Sequence, residues 1–208
     1  AVLFIFRAAT LKELQTFSWP ILGAQFASYA VTLALIAASL PWLARRTLPQ
    51  LGLRAPRGED LVWGLAGAAA MILLAALAGV LQQAIFHLKP DEVQVHWLRQ
   101  ARGSLVVGFV FLAVIAAPFM EELMFRGFFF NAFLRYMPAW AAAVFSAIIF
   151  GAAHYQPGNA GAIVPLACGG VVLAGVYYRT GSLAASMLTH ALFNSFTVVL
   201  VLVFHQNA

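Results

Sequence analysis

Two adjacent carboxylates, Glu121 and Glu122, stand inside the apolar stretch AVIAAPFMEELMFRGFFF, where Arg126 is the only basic residue nearby. An ionised side chain at the centre of a hydrocarbon layer costs about 2.5–3.5 kcal/mol even on a lenient insertion scale, so a pair of them there demands a use. Glu122 and Arg126 are four residues apart, share one helix face and can form an ion pair. Glu121 lies about 100° further round the axis and is left to meet a different partner. A latch between two helices accounts for Glu122 and Arg126 but leaves Glu121 without a purpose. A carboxylate held out of bulk water beside a substrate is the chemistry of a general base.

Two downstream apolar segments carry further polar groups at depth. His154 ends FSAIIFGAAH, where Gly151, Ala152 and Ala153 thin the helix and let a neighbour approach. His190 and Asn194 are four apart in HALFN, so they project from one face. Two donors on one stripe can serve a single oxyanion, or can clamp two helices together. Taken alone, each motif is met as well by packing. Taken together, a carboxylate pair, a histidine, and a histidine with an amide lie on three separate apolar segments, and one hydrated pocket would let them share the cost of burial. Ser146, Ser186 and Ser195 lack a Gly-x-Ser-x-Gly setting, no His-Glu-x-x-His is present, and Asp60 and Asp91 fall outside the apolar spans. Serine, zincin and aspartyl types of intramembrane hydrolysis are disfavoured accordingly.

The elements that must position these groups are apolar helices. Of 208 residues, 63% are hydrophobic and 9% charged, against about 25% charged in soluble domains. A chain of this size cannot bury so much apolar surface in a soluble core. Spans near the 20-residue crossing length are expected at 20–44, with Pro41 near its end, and at 61–88, 104–134, 139–156, 160–178 and 183–204. Residues 1–18, with Arg7, Lys12 and Glu13, read as the tail of a span or an interfacial helix. The 31 residues of 104–134 exceed a single crossing, and Pro118 and Gly127 are where a kink or break is expected. Residues 89–103 read as a surface-lying or loosely ordered connection. The arginines of the 45–60 loop (Arg45, Arg46, Arg54, Arg57) favour a cytoplasmic side for it, and the net charge of +5 fits anionic lipid better than nucleic acid. The lone Cys168 excludes an intrachain disulfide. There is no sign of a cleavable signal peptide or of an internal repeat. The fold class expected is an all-α polytopic membrane helix bundle of six to eight helices: N-terminal membrane helices and polar loops at 1–102, and the polar-bearing bundle at 103–204, in one integrated membrane domain.

Glu121-Glu122-Leu-Met-Phe-Arg126 reads as EExxxR, Phe150-Gly-Ala-Ala-His154 as FxxxH, and His190-Ala-Leu-Phe-Asn194 as HxxxN. In this order on successive apolar helices they resemble the CPBP family of CAAX prenyl proteases and bacteriocin-processing or immunity enzymes, also called the Abi domain. The likeness covers roughly residues 103–204; the first hundred or so residues resemble nothing named. It implies an intramembrane endopeptidase acting on a membrane-associated peptide or protein, in which Glu121 activates water, His154 helps hold that water, His190 and Asn194 stabilise the oxyanion, and Glu122 is held by Arg126. Such proteins have been read both as metalloproteases and as metal-free glutamate peptidases. No cofactor is fixed by the sequence: zinc or another divalent metal would draw on Glu121, Glu122, His154 and His190, whereas Asn194, a poor zinc ligand and a good donor, favours the metal-free reading. The competing expectations are a non-catalytic CPBP-like protein, acting as an immunity factor or a structural subunit of a larger membrane complex, and a proton-coupled transporter, which the lack of inverted repeats disfavours. The expected location is a bacterial or archaeal cytoplasmic membrane, with lipid as the surrounding partner and no nucleic acid.

Overall fold

The computed structural model describes residues 17–39, 49–89, 93–155 and 160–204. Among them there is no strand. Seven helices follow in chain order: α1 (Trp19–Ser39), α2 (Gly58–Phe86), α3 (Val93–Gln100), α4 (Ser104–Phe133), α5 (Ala139–Ala153), α6 (Ile163–Thr180) and α7 (Leu183–Phe204). Five are long and apolar enough to cross a membrane: α1, α2, α4, α6 (with the short turn Ala160–Ala162 before it) and α7. The 15 residues of α5 reach about 22 Å, short of a ~30 Å hydrocarbon layer. The outer surface is the apolar one. Leu73 is 71% exposed and Val107 70%, which only a lipid solvent makes tolerable. The chain is therefore an all-α polytopic integral membrane protein.

Local chemistry sets the helix ends. At the start of α2, Asp60 accepts the Arg57 backbone N–H at 2.7 Å and a two-pronged pair from Arg54 at 2.9 and 3.0 Å. The arginine also donates to the Thr180 carbonyl, which ties the loop before α2 to the end of α6. Sequence reading leaves Asp60 just outside a span; the structure places it buried in the first turn of one, where it bonds the backbone of the capping Arg57. At the end of α6, Gly181 takes the left-handed conformation (φ 60°) and its N–H bonds the Tyr177 carbonyl.

With little hydrophobic drive between helices in lipid, close packing decides the arrangement. A Cβ at Gly67 would lie 2.6 Å from Thr189 Oγ1, and one at Gly151 2.6 Å from the Ile163 carbonyl oxygen. Gly67 lets α2 close on the Thr189 side chain of α7, and Gly151 lets α5 meet α6 backbone to backbone.

Two expectations are corrected. Residues 89–103 are not merely a surface connection: α3 forms there, and Leu98 and Ala101 are buried against Phe17, Phe109 and Val198. The apolar residues interleaved in that stretch fall on one side of a helix and have a cluster to fill. Nor does α4 break at Pro118 or Gly127. It runs on through two wider π-helical segments, Leu112–Ala116 and Leu123–Phe130. In a regular helix the Pro118 ring would strike the carbonyl of residue 114; the wider turn immediately before it absorbs that conflict. The expectations for residues 1–16, Pro41, Arg45, Arg46, Asp91 and the 156–159 connector lie outside the described residues.

Candidate active site

The site forms where α4, α5 and α7 converge. On α4, successive residues diverge as helix geometry requires. Glu122 is fully buried, and its Oε1 accepts from Arg126 at 2.8 Å and from His190 Nδ1 at 3.0 Å. Arg126, also fully buried, donates to the Gly170 carbonyl at 2.9 Å and lies 4.8 Å over the Phe150 ring. Buried charge is thus satisfied by a carboxylate, a carbonyl and an aromatic face, as a low-dielectric site requires. Two atoms of this pair, Glu122 Oε2 and Arg126 Nε, have no hydrogen-bond partner among the described residues.

Glu121 turns the other way. Its Oε2 is buried, has no hydrogen-bond partner among the described residues, and lies 3.6 Å from His154 Nε2 and 3.9 Å from His190 Nε2. Both imidazoles are oriented from behind. His154 terminates α5, and its Nδ1 donates to the Phe150 carbonyl at 2.8 Å. His190 Nδ1 donates to Glu122. With both Nδ1 atoms committed as donors, each neutral ring presents an Nε2 lone pair toward Glu121. Three acceptors facing one another need a shared donor between them.

Asn194 is placed one turn beyond His190, where its amide donates to the Ala113 carbonyl at 2.7 Å. Ala113 lies within the first π-helical segment of α4, whose altered bonding leaves carbonyls to be capped. One N–H of the amide is spent on α4. The structure therefore gathers Glu121, Glu122, Arg126, His154 and His190 around one point and bonds Asn194 to the same helix two turns upstream.

For a divalent metal, the donor types suit zinc. Glu122 Oε1, however, is already shared between Arg126 and His190. Among the described residues no group of three or more His, Cys, Asp or Glu side chains is gathered closely enough to hold an ion. The types fit and the spacing does not.

Sequence reading did not single out Gly170, Phe150 as a ring, or Tyr29. Gly170 and Phe150 complete the Arg126 cradle. Tyr29 of α1 lies within electrostatic reach of Glu121. The FxxxH spacing pointed to Phe150; a glycine carbonyl and a tyrosine on a distant helix gave no local signal.

Residues 103–196 match the family described as type II CAAX prenyl endopeptidase Rce1-like. The match supports, over this stretch, the resemblance to the CPBP family. Over 164 residues the chain is 23% identical to the Bacillus subtilis (strain 168) protein named "Putative membrane peptidase YdiL", a match spanning 77% of this chain and 66% of that relative, just under two thirds. No solved structure matches the chain. The matched stretch starts just before α4 and ends on α7 beyond Asn194, so it takes in every polar side chain of the site described above except Tyr29.

Proposed function

We propose that the protein is an intramembrane endopeptidase that hydrolyses a peptide bond of a membrane-associated substrate with water activated by Glu121. The observation that carries this reading is the buried Glu121 Oε2, without a hydrogen-bond partner among the described residues, facing two imidazole Nε2 atoms at 3.6 and 3.9 Å. A water molecule donating to Glu121 and His154 would satisfy both acceptors and keep its own lone pair for a carbonyl carbon. Proton transfer from water to Glu121 accompanies attack on that carbon. The carbonyl oxygen becomes an oxyanion, and a donor must meet it. His190 is suited to that role when Nε2 carries a proton, because the Glu122 carboxylate behind Nδ1 fixes the ring so that Nε2–H points into the site. Asn194 has one N–H left for the same oxygen. Glu121 returns its proton to the amide nitrogen as the C–N bond breaks, releasing an acid and an amine.

The test is cleavage, in lipid vesicles, of a panel of apolar peptides each ending in a polar tail. Glu121→Gln keeps the size of the side chain and removes its basicity, so turnover should fall at least about a hundredfold with unchanged thermal unfolding. Equal cleavage by the two proteins overturns the role of Glu121. Cleavage by neither, from a well-folded preparation across the panel, favours a non-catalytic member of the same family.

A further inference from the structure

Helix α6 supplies no side chain to the site, yet one of its main-chain atoms enters the centre of the buried network. The Gly170 carbonyl oxygen accepts Arg126 Nη2 at 2.9 Å. A carbonyl inside a helix serves the N–H four residues on and keeps a second lone pair for an outside donor. Close helix packing brings Arg126 to that lone pair, and residue 170 is where the packing is tight. A Cβ at Gly170 would lie 3.0 Å from the Ala147 Cα and Cβ of α5 and 3.3 Å from Phe150 Cδ1. These atoms have little room to yield. The first is backbone, Ala147 is 1% exposed and Phe150 is fully buried. The Phe150 ring is wedged on its other sides, 4.8 Å from the Arg126 guanidinium carbon, 5.1 Å from the Phe125 ring and 5.7 Å from the His190 ring.

The bare Cα of Gly170 thus sets two walls of the guanidinium's seat, the carbonyl directly and the ring by contact. From there the geometry passes along hydrogen bonds. Arg126 Nη1 donates to Glu122 Oε1 at 2.8 Å, and the same oxygen accepts His190 Nδ1 at 3.0 Å. His190 Nε2 then stands 3.9 Å from Glu121 Oε2. An oxygen shared by two donors cannot follow one without changing its bond to the other. A fully buried carboxylate stays with its cation, so a displaced guanidinium draws Glu122 after it and turns the imidazole.

Resting on the endopeptidase reading, we propose that Gly170 is a positioning residue: its carbonyl fixes Arg126 and, through Arg126 and Glu122, aims His190 Nε2 at the oxygen of the carbonyl under attack. The need for glycine here is one of space and not of backbone conformation, because Gly170 lies within helix α6 and its φ is not positive. Alanine would favour the helix itself. Its methyl group would still force α5 and α6 apart by a few tenths of an ångström, and the carbonyl would leave Arg126 with them. Gly175, on the same helix, has open space around it and is the natural reference.

Two variants reach the carbonyl by different routes. Gly170→Ala adds the Cβ. Val171→α-hydroxyisovaleric acid, introduced by nonsense suppression, turns the peptide bond after Gly170 into an ester, whose carbonyl is the poorer acceptor, and adds no bulk. Gly175→Ala and the same hydroxy acid at Val176 are the references. In both test variants kcat on any cleaved peptide should fall roughly tenfold with KM unchanged, the mark of an interaction made in the transition state. Both references should cleave as the wild type does. The second readout needs no turnover: ring-nitrogen NMR of labelled histidine, with the His190 signals assigned by their loss in His190→Gln. Those signals should move in both test variants and stay in place in both references. Moved signals in a protein whose wild type cleaves nothing keep the positioning role and remove the endopeptidase reading. Where Gly170→Ala does not fold, the ester at position 171 decides alone. Wild-type kcat or unmoved His190 signals in that ester variant overturn the proposal and leave the endopeptidase reading standing, as does a loss of kcat that the two references share.

Discussion

Arg126 holds the site together as the cation paired with the fully buried Glu122, without hydrogen-bonding Glu121. It binds Glu122 and the Gly170 carbonyl at once, and Glu122 in turn orients His190. Removing one partner of such a pair leaves an uncompensated buried charge, which costs about 3–5 kcal/mol. Arg126→Met should therefore lower the thermal unfolding midpoint in detergent sharply. Arg126→Lys should rescue little, because an ammonium cannot fork to a carboxylate and a carbonyl at fixed positions. The double variant Glu122→Leu/Arg126→Met removes both charges and should be more stable than Arg126→Met alone. It should still cleave no better than Glu122→Gln, since His190 has then lost the acceptor behind Nδ1. A double variant no more stable than the single one would show that pairing is not what makes Arg126 necessary. The four-residue spacing of Glu122 and Arg126, and the divergence of Glu121 from them, were readable from helical periodicity alone. That His190 would join Glu122, and that Asn194 would spend an N–H on Ala113, was not readable, because partners 68 and 81 residues away in sequence depend on how helices are rotated against each other.

At the scale of elements, α4 shows what a pattern of apolar residues conceals. Its length and its polar cluster were legible; its two π-helical segments were not, since the same side chains fit either winding and only the hydrogen bonds differ. Each segment is capped by an asparagine. Asn194 takes the Ala113 carbonyl, and Asn131 donates to the Arg126 and Gly127 carbonyls and to the Tyr177 hydroxyl, which itself donates to the Leu51 carbonyl. This chain of hydrogen bonds ties the end of α4 to α6 and to the loop before α2. Asn131→Leu should leave carbonyls unsatisfied near Arg126 and cost about 1–3 kcal/mol. Tyr177→Phe should cost less, about 1 kcal/mol, because the Asn131 amide keeps its two carbonyls. Thermal unfolding of the two variants beside the wild type checks both the order and the size. Equal midpoints for all three would mean that the second π-helical segment stands without its cap. The α3 helix was missed for a related reason: its eight residues are too short and too polar to declare themselves, and they fold because Leu98 has a cluster to enter.

For the whole molecule, the solvent decides what counts as surface. The bundle turns Leu73, Leu77 and Val80 of α2 outward, while it buries Arg126, Glu122 and Asp60, the reverse of a water-soluble domain. This inversion was legible in composition, since so few charges cannot cover a body of this size, and it makes a prediction that treats the chain as one object. Leu73 is near the midpoint of α2 and 71% exposed. Leu73→Arg sets a cation against the hydrocarbon centre, too deep for its side chain to reach either interface, at a cost of about 2.5–3.5 kcal/mol on insertion scales. Tyr136→Arg makes a comparable charge change at an 84% exposed site in the turn between α4 and α5, where the guanidinium meets water and headgroups. The fraction of protein that resists alkaline extraction from membranes should fall for Leu73→Arg and stay at the wild-type level for Tyr136→Arg. The two substitutions are alike in exposure and differ only in the medium their side chains touch, so equal behaviour would mean that α2 does not face lipid at its centre. A bundle that did not present α2 to lipid could not hold Glu121 at depth either, because α2 packs on α6 and α7, the helices that supply Gly170 and His190 to the site.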